Sequence, residues 1–315
     1  MKNKLSIFNV DSDWLKDEVY VHGVREEIRE ILFHLEGPSK ACKLLGVPYT
    51  ALKEWPNGRK PISIKKLNKL IGFCDASFQE EIKSKIDSKD ILLSCRYSSH
   101  KIKFPNLITP DLAYLLGLYL GDGTFAGDSS NGKGNWTIGA FFDNRKHQAL
   151  CNLLILKVFG INAKQYDSKK NCFKSYFGSK VLHWFFRSYF EICNGYKCNK
   201  IFGSDLILNS DNRIVSSFLQ GLFDSDGTIT NKNIVKYAST SKLMVEQVKD
   251  ALLKFGIDSR FYMWVKAEKY LPLYTVELMS RNSVLKFAEC INFRHPAKHV
   301  RLADVGKIVI NSPVV

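Results

Sequence analysis

Two aspartates are the residues best placed to do chemistry: Asp122 in Gly117-Leu118-Tyr119-Leu120-Gly121-Asp122-Gly123, and Asp226 in Gly221-Leu222-Phe223-Asp224-Ser225-Asp226-Gly227. Each ends an apolar run of helical length, and each run holds small residues four apart, Gly117 with Gly121 and Gly221 with Ser225. Small residues at that spacing share one helix face, so two such helices can approach almost backbone to backbone. Packed roughly parallel, they would bring both carboxylates to helix C-termini, where the dipoles already place partial negative charge. Such a pair repels in a partly dry site and is relieved by a hard divalent cation with oxygen ligands, Mg²⁺ first and Mn²⁺ as a substitute. Gly123 and Gly227 are expected as left-handed C-caps. A single Asp-Gly more often merely closes a buried helix; the second copy changes the weighing.

The segments downstream of the two copies match as well. After the first come the strand-like Trp136 to Phe142 and the amphipathic Arg145 to Phe159, ending Phe-Gly-Ile; after the second come Ile234 to Ala238 and Ser241 to Phe255, ending Phe-Gly-Ile again. A repeat of about 100 residues is a duplicated domain rather than a solenoid unit. The elements that must position the acids are therefore two buried helices on a pseudo-twofold axis. Thr109 caps the first of them, with Pro110 and Asp111 in its first turn.

These two stretches resemble the signature of the LAGLIDADG homing endonucleases in their single-chain, two-motif form, over roughly Lys103 to Leu302. The resemblance implies an α+β fold, each half running helix, two strands, helix, two strands, helix, with the sheets saddled over duplex DNA. It implies that Asp122 and Asp226 bind the metal. Leu120 replaces the first acid of motif one, a position that is not the metal ligand. Lys197, in Asn194-Gly195-Tyr196-Lys197, and Lys298 match the family's lysine near the reacting phosphate, where an ammonium stabilises developing charge. Asn144 and Ser241 match its polar, water-organising position. By itself, each lysine would more often be a surface charge.

Residues 1–78 look like a separate, all-helical module. Val24 to Leu35, Pro38 to Leu45 and Pro48 to Trp55 have helical spacing, and Gly46-Val47 breaks the last two. The pattern resembles phage-repressor-like helix-turn-helix domains, presenting Tyr49, Thr50 and Lys53 to a major groove, with Arg59 and Lys60 in reach of phosphates. An ordinary helical hairpin is the alternative. Residues 79–106 read as a linker, 107–210 as repeat one and 211–315 as repeat two.

The 315-residue chain has 46 Lys plus Arg against 31 Asp plus Glu, a net charge of +15 that suits a phosphate-rich partner. Lys164, Lys174, Lys236 and Lys266 fall on candidate strands or beside them, where side chains can face a groove. Eight scattered cysteines with no Cys-x-x-Cys indicate neither a zinc site nor a disulfide framework. No apolar stretch has membrane-spanning length and no signal-peptide core follows Met1-Lys2-Asn3-Lys4, so a cytoplasmic monomer without membrane association is expected, or an organellar one in a eukaryote. The ends lack the nucleophile and the His-Asn pair of self-splicing elements, so an intein is not expected. Metal-dependent double-strand cleavage of duplex DNA is the leading function. A non-cleaving transcription regulator of the same fold and an intron RNA maturase remain as alternatives.

Overall fold

The computed structural model describes residues 3–9, 19–95, 100–126, 136–168, 172–192, 200–267 and 269–310. It divides into two compact units, one built from residues 3–107 with 179–188, the other from residues 108–178 with 189–315.

The first unit holds β1 (Val19–His22), α1 (Arg25–His34), α2 (Pro38–Leu45), α3 (Tyr49–Glu54), β2 (Ile62–Ser63), α4 (Ile64–Ile71), α5 (Ala76–Asp87), β3 (Leu92–Cys95) and β4 (Ile102–Lys103). Its strands form one antiparallel sheet in the order β2-β1-β3-β4. This sheet corrects two expectations. The module over 1–78 is not all-helical, because β1 and β2 pair through Tyr20 with Ser63 and Val21 with Ile62. Nor are residues 79–106 a solvated tether, since they complete α5 and supply β3 and β4 to the same sheet. Charges flanking Ile102 disguised the strand, but Leu93 and Ile102 are buried on the sheet's inner face. The helix pair α2–α3 does turn on Gly46, left-handed at φ 66°, over a core of Ala41, Leu45, Leu52 and Trp55. Tyr49, Thr50 and Lys53 are exposed.

In chain order there follow α6 (Pro110–Gly121), β5 (Gly123–Ala126), β6 (Thr137–Phe142), α7 (Arg145–Phe159), β7 (Lys164–Ser168), β8 (Cys172–Gly178), α8 (Lys180–Phe190), the short α9 (Asp205–Leu208), α10 (Asn212–Asp226), β9 (Gly227–Ile229), β10 (Val235–Ser239), α11 (Lys242–Lys254), β11 (Arg260–Trp264), β12 (Leu273–Leu278), α12 (Arg281–Cys290) and α13 (Pro296–Ile310). The two sheets repeat one topology, β5-β6-β8-β7 and β9-β10-β12-β11, all antiparallel. The α+β class is as expected, with a helix, two strands, a helix, two strands and a helix in each copy.

Helices α6 and α10 are the centre of the second unit. Thr109 accepts from the Leu112 N–H and Asp211 accepts from those of Arg213 and Ile214, so both N-termini are capped by side chains. Every residue from Leu112 to Leu120 is buried, which is why α6 has no polar face. A Cβ on Gly117 would lie 2.2 Å from the Phe218 carbonyl oxygen, and one on Gly221 would lie 2.1 Å from that of Tyr114. The contacts are reciprocal: Tyr114 and Gly117 stand in α6 where Phe218 and Gly221 stand in α10. That reciprocity is the signature of a local twofold axis.

Gly123 and Gly227 are required for another reason than a left-handed cap. Gly227 is extended, with φ −83° and ψ 157°, and the last helical turn lies directly beneath it. A Cβ would sit 2.3 Å from the Tyr119 carbonyl oxygen at Gly123 and 2.4 Å from that of Phe223 at Gly227. The chain folds straight back from helix into strand, and only glycine leaves room.

Candidate active site

Asp122 is the C-cap of α6, and Asp226 is the last residue of α10. Close helix packing carries them together: a Cβ on Gly121, next to Asp122, would meet Ser225 Oγ at 2.0 Å and Asp226 Oδ2 at 3.0 Å. Asp226 is exposed and Asp122 half-buried. Among the described residues, no group of three or more His, Cys, Asp or Glu could hold a metal ion. Asp122 and Asp226 supply hard carboxylate oxygens from two adjoining helix ends, donors of the type a divalent cation such as Mg²⁺ accepts.

A cavity of about 340 Å³ opens beside them, lined by Asp122, Phe141, Asp143, His147, Asp224 and Lys298 among others. Lys298, near the start of α13, does not stand free in it. Its ammonium donates to the carbonyl oxygens of Phe223 at 3.1 Å, Asp224 at 2.6 Å and Ser225 at 3.2 Å. It thus caps the C-terminus of α10, where a cation offsets the helix dipole beside Asp226. Burial lowers its pKa, against the opposing pull of Asp224, Asp122, Asp143 and Asp226.

Asn144 and Ser241 are also occupied. Asn144 Oδ1 accepts from the N–H groups of Lys146 and His147, capping α7. Ser241 Oγ accepts from Met244 N–H and donates to the Ile201 carbonyl, and the residue is buried. Of the segment around Asn144, it is the neighbouring Asp143 that lines the cavity. His295 Nε2 lies 2.8 Å from Asp143 Oδ1 and donates to it, holding one carboxylate oxygen while the side chain stays 77% exposed. Burial would raise the Asp143 pKa, but the bond and charge of His295 together with Lys298 bring it below the usual carboxylate value. Lys197 lies outside the described residues.

A second polar chain runs through the interior. Tyr114 O–H donates to Asp224 Oδ2 at 2.6 Å, His147 Nε2 stands 2.8 Å from the same hydroxyl, and Arg294 N–H donates to Asp224 Oδ2 at 3.0 Å. The Arg294 guanidinium covers the Tyr114 ring at 4.5 Å, and its Nε donates to Gln220. Burial raises Asp224 despite these donors. Sequence patterning missed this network and Asp143 alike. The available signal was the broken symmetry, since Tyr114 and Asp224 stand where the other motif has Phe218 and Leu120.

Burial pushes His147 down from 6.5 to about 3, helped by the charges of His295 and Lys298. A base depressed on folding gives stability that is complete above the unfolded pKa and is lost as pH falls through the folded one, at up to ~1.4 kcal/mol per pH unit. Asp224, raised on folding, acts in the opposite sense as it protonates. The His147→Gln variant isolates the histidine: between pH 6.5 and 4 the wild-type urea midpoint should fall more steeply than the variant's. Parallel midpoints would show that His147 does not titrate with unfolding.

The remaining candidate residues sit on or near the outer sheet faces. Register places Lys174 opposite Phe141 and Tyr166, and Lys164 opposite Tyr176, on the face away from buried Ile138, Ala140 and Phe142. The Lys174 ammonium lies 5.2 Å from the Phe141 ring centre and 5.6 Å from that of Tyr176. Lys236 is matched by Glu277 at 2.5 Å, on the face that also carries Arg260. Lys266 follows β11 and stacks on Tyr270 at 5.5 Å. Gln165 points to the other face from Lys164.

No helix among the described residues is long and apolar enough to cross a membrane. The chain is 26% identical over 287 residues to a glutamine–fructose-6-phosphate aminotransferase (isomerizing) of Methanocaldococcus jannaschii, covering 90% of this chain but only 24% of that protein. Among solved structures it resembles I-DmoI in complex with DNA and Mn, with 18% identity, 58% of this chain and 97% of the other covered, and a TM-score of 0.46. It also resembles full-length DUF199/WhiA from Thermatoga maritima, with 14% identity, 65% and 61% covered, and a TM-score of 0.42. Residues 213–292, the stretch that ends its first helix at Asp226 and builds the second sheet, match the family model described as a LAGLIDADG-like domain.

Proposed function

We propose that this protein is a site-specific endonuclease that hydrolyses both strands of duplex DNA, acting as a monomer whose two repeats each serve one strand. The observation that carries the proposal is the reciprocal packing of α6 on α10, which sets Asp226 against the end of the helix that Asp122 caps. Asp122 and Asp226 would hold Mg²⁺, or Mn²⁺ in its place. A divalent ion bound there supplies charge stabilisation at the phosphate and a more acidic water.

The chain's own residues do the rest. Lys298 fixes the last turn of α10 and offsets negative charge beside the acids. Asp143, held by His295, accepts a hydrogen bond from a water in the cavity and orients it. Asn144 and Ser241 act by capping helices rather than by touching the phosphate. Lys164 and Lys174 on the first sheet, and Lys266 with Lys236 on the second, meet the DNA, Lys236 with its charge largely offset by Glu277. In the first unit, α2 and α3 act as a helix-turn-helix, with Tyr49, Thr50 and Lys53 toward base edges and Arg59 and Lys60 toward phosphates.

The test is a supercoiled plasmid library carrying randomised inserts, incubated with the full chain and Mg²⁺. The expected result is linear product from a small set of inserts, suppressed by a chelator. A sequence-specific footprint on intact DNA would assign the non-cleaving regulator instead, and preference for a structured intron RNA the maturase.

A further inference from the structure

The first unit contains a cavity of about 520 Å³, of whose lining the proposed function uses only Arg59 and Lys60. Arg25, Arg59, Lys60 and Lys101 stand around it, over a floor that includes Ile28 and Trp55. Among the described residues no carboxylate lines it. Glu26 pairs with Arg25 at 3.1 Å and Glu54 with Arg59 at 3.7 Å, but the arginines are 63% and 71% exposed, so these pairs offset little of the field. Among the described residues, neither Lys60 nor Lys101 has an acidic partner within ion-pair distance. At the edge, burial and Lys101 lower the His22 pKa, and its Nε2 is bonded to Ser94 Oγ at 2.9 Å.

The local sequence explains the shape. Gly23 and Gly58 take left-handed conformations, φ 89° and 68°, at the turns that enter α1 and leave α3. Both turns bring Arg25 and the Arg59-Lys60 pair to the same cavity, where a Cβ on Gly58 would lie 3.8 Å from the Arg25 side chain. Trp55, the C-cap of α3, is 6% exposed and anchors the floor to the helix that carries Tyr49, Thr50 and Lys53.

We infer that this cavity binds the sugar–phosphate backbone of a nucleic-acid strand, its phosphate on the four cationic side chains and its sugar on the apolar floor. Four cationic side chains around one cavity exceed what one carboxylate needs, and the volume exceeds what a bare phosphate fills. Attachment to the end of α3 makes the site a clamp that fixes how that helix lies on the DNA, since phosphate contacts set register and orientation. The inference rests on the DNA-binding reading and adds Arg25 and Lys101 to it.

The experiment is fluorescence anisotropy of a labelled duplex of arbitrary sequence with the full-length chain, across a range of salt. Each lost phosphate contact lowers the slope of log affinity against log salt by about 0.9. The Lys60→Gln/Lys101→Gln double variant should lower the slope by about 2, and inorganic pyrophosphate should compete with the duplex in the wild type but not in the variant. The Lys242→Gln/Lys249→Gln variant removes equal charge from α11 and should leave the slope unchanged. Equal slopes in the wild type and the Lys60/Lys101 variant overturn this site alone. Pyrophosphate that binds at the cavity without displacing duplex marks a free-anion site and also overturns it. A wild-type chain that binds no duplex overturns the site and the DNA-binding reading together.

Discussion

Asp226→Asn should abolish double-strand cleavage, by about a thousandfold or more, while leaving DNA binding intact or slightly tighter. The sign comes from charge. Asp226 is exposed at the end of α10 and beside the end of α6, where the proposed cleavage would bring a phosphate. Without a cation its carboxylate repels that phosphate, so neutralising it does not weaken the complex. Cleavage, by contrast, would lose one of the two carboxylates proposed to hold the ion, and ~4 kcal/mol of transition-state stabilisation corresponds to about three powers of ten in rate. Asp122→Asn should behave alike. Plasmid linearisation measured beside duplex binding separates the two effects, and undiminished cutting by Asp226→Asn would refute the assignment of the acids.

The second large effect is mechanical. Gly221→Ala and Gly117→Ala each place a methyl group about 2 Å from a backbone carbonyl oxygen on the facing helix. Alanine in a helix interior normally gains ~1 kcal/mol over glycine. Overpacking ordinarily costs ~1–3 kcal/mol, and here the obstacle is backbone that cannot swing aside as a side chain would. The net should be a loss of at least ~2 kcal/mol, read as a lower urea midpoint. The helices must also separate, parting Asp122 from Asp226, so cleavage should fall further than stability alone explains. An unchanged or higher midpoint for Gly221→Ala would mean that the two helices do not meet as closely as this.

Much of this was legible in the residues. The apolar saturation of Leu112 to Leu120, the small residues four apart, and the repeat of helix, strands and helix after each Asp-Gly are near-neighbour patterns. Helical and strand periodicities express them within a few residues. The boundaries of Arg145–Phe159 and Cys172–Gly178 reflect such patterns, with Gly160 closing the first. The first unit's sheet was hidden because its strands are two to four residues long and are flanked by charge, as Lys101-Ile102-Lys103 shows.

The sequence by itself determined the duplicated pair of acids, the two helices able to carry them and the basic charge that suits a phosphate partner. Only the tertiary structure decided which polar groups surround that pair. Asp143 meets His295 across 152 residues, and Tyr114 meets Asp224 across 110. Lys298 is committed to three carbonyl oxygens, and Asn144 and Ser241 to helix caps. The physical reason is that a helix or strand is encoded by spacing along the chain. The partner of a buried polar group is fixed instead by which distant segments fold against it and by the cost of leaving its hydrogen bonds unmade.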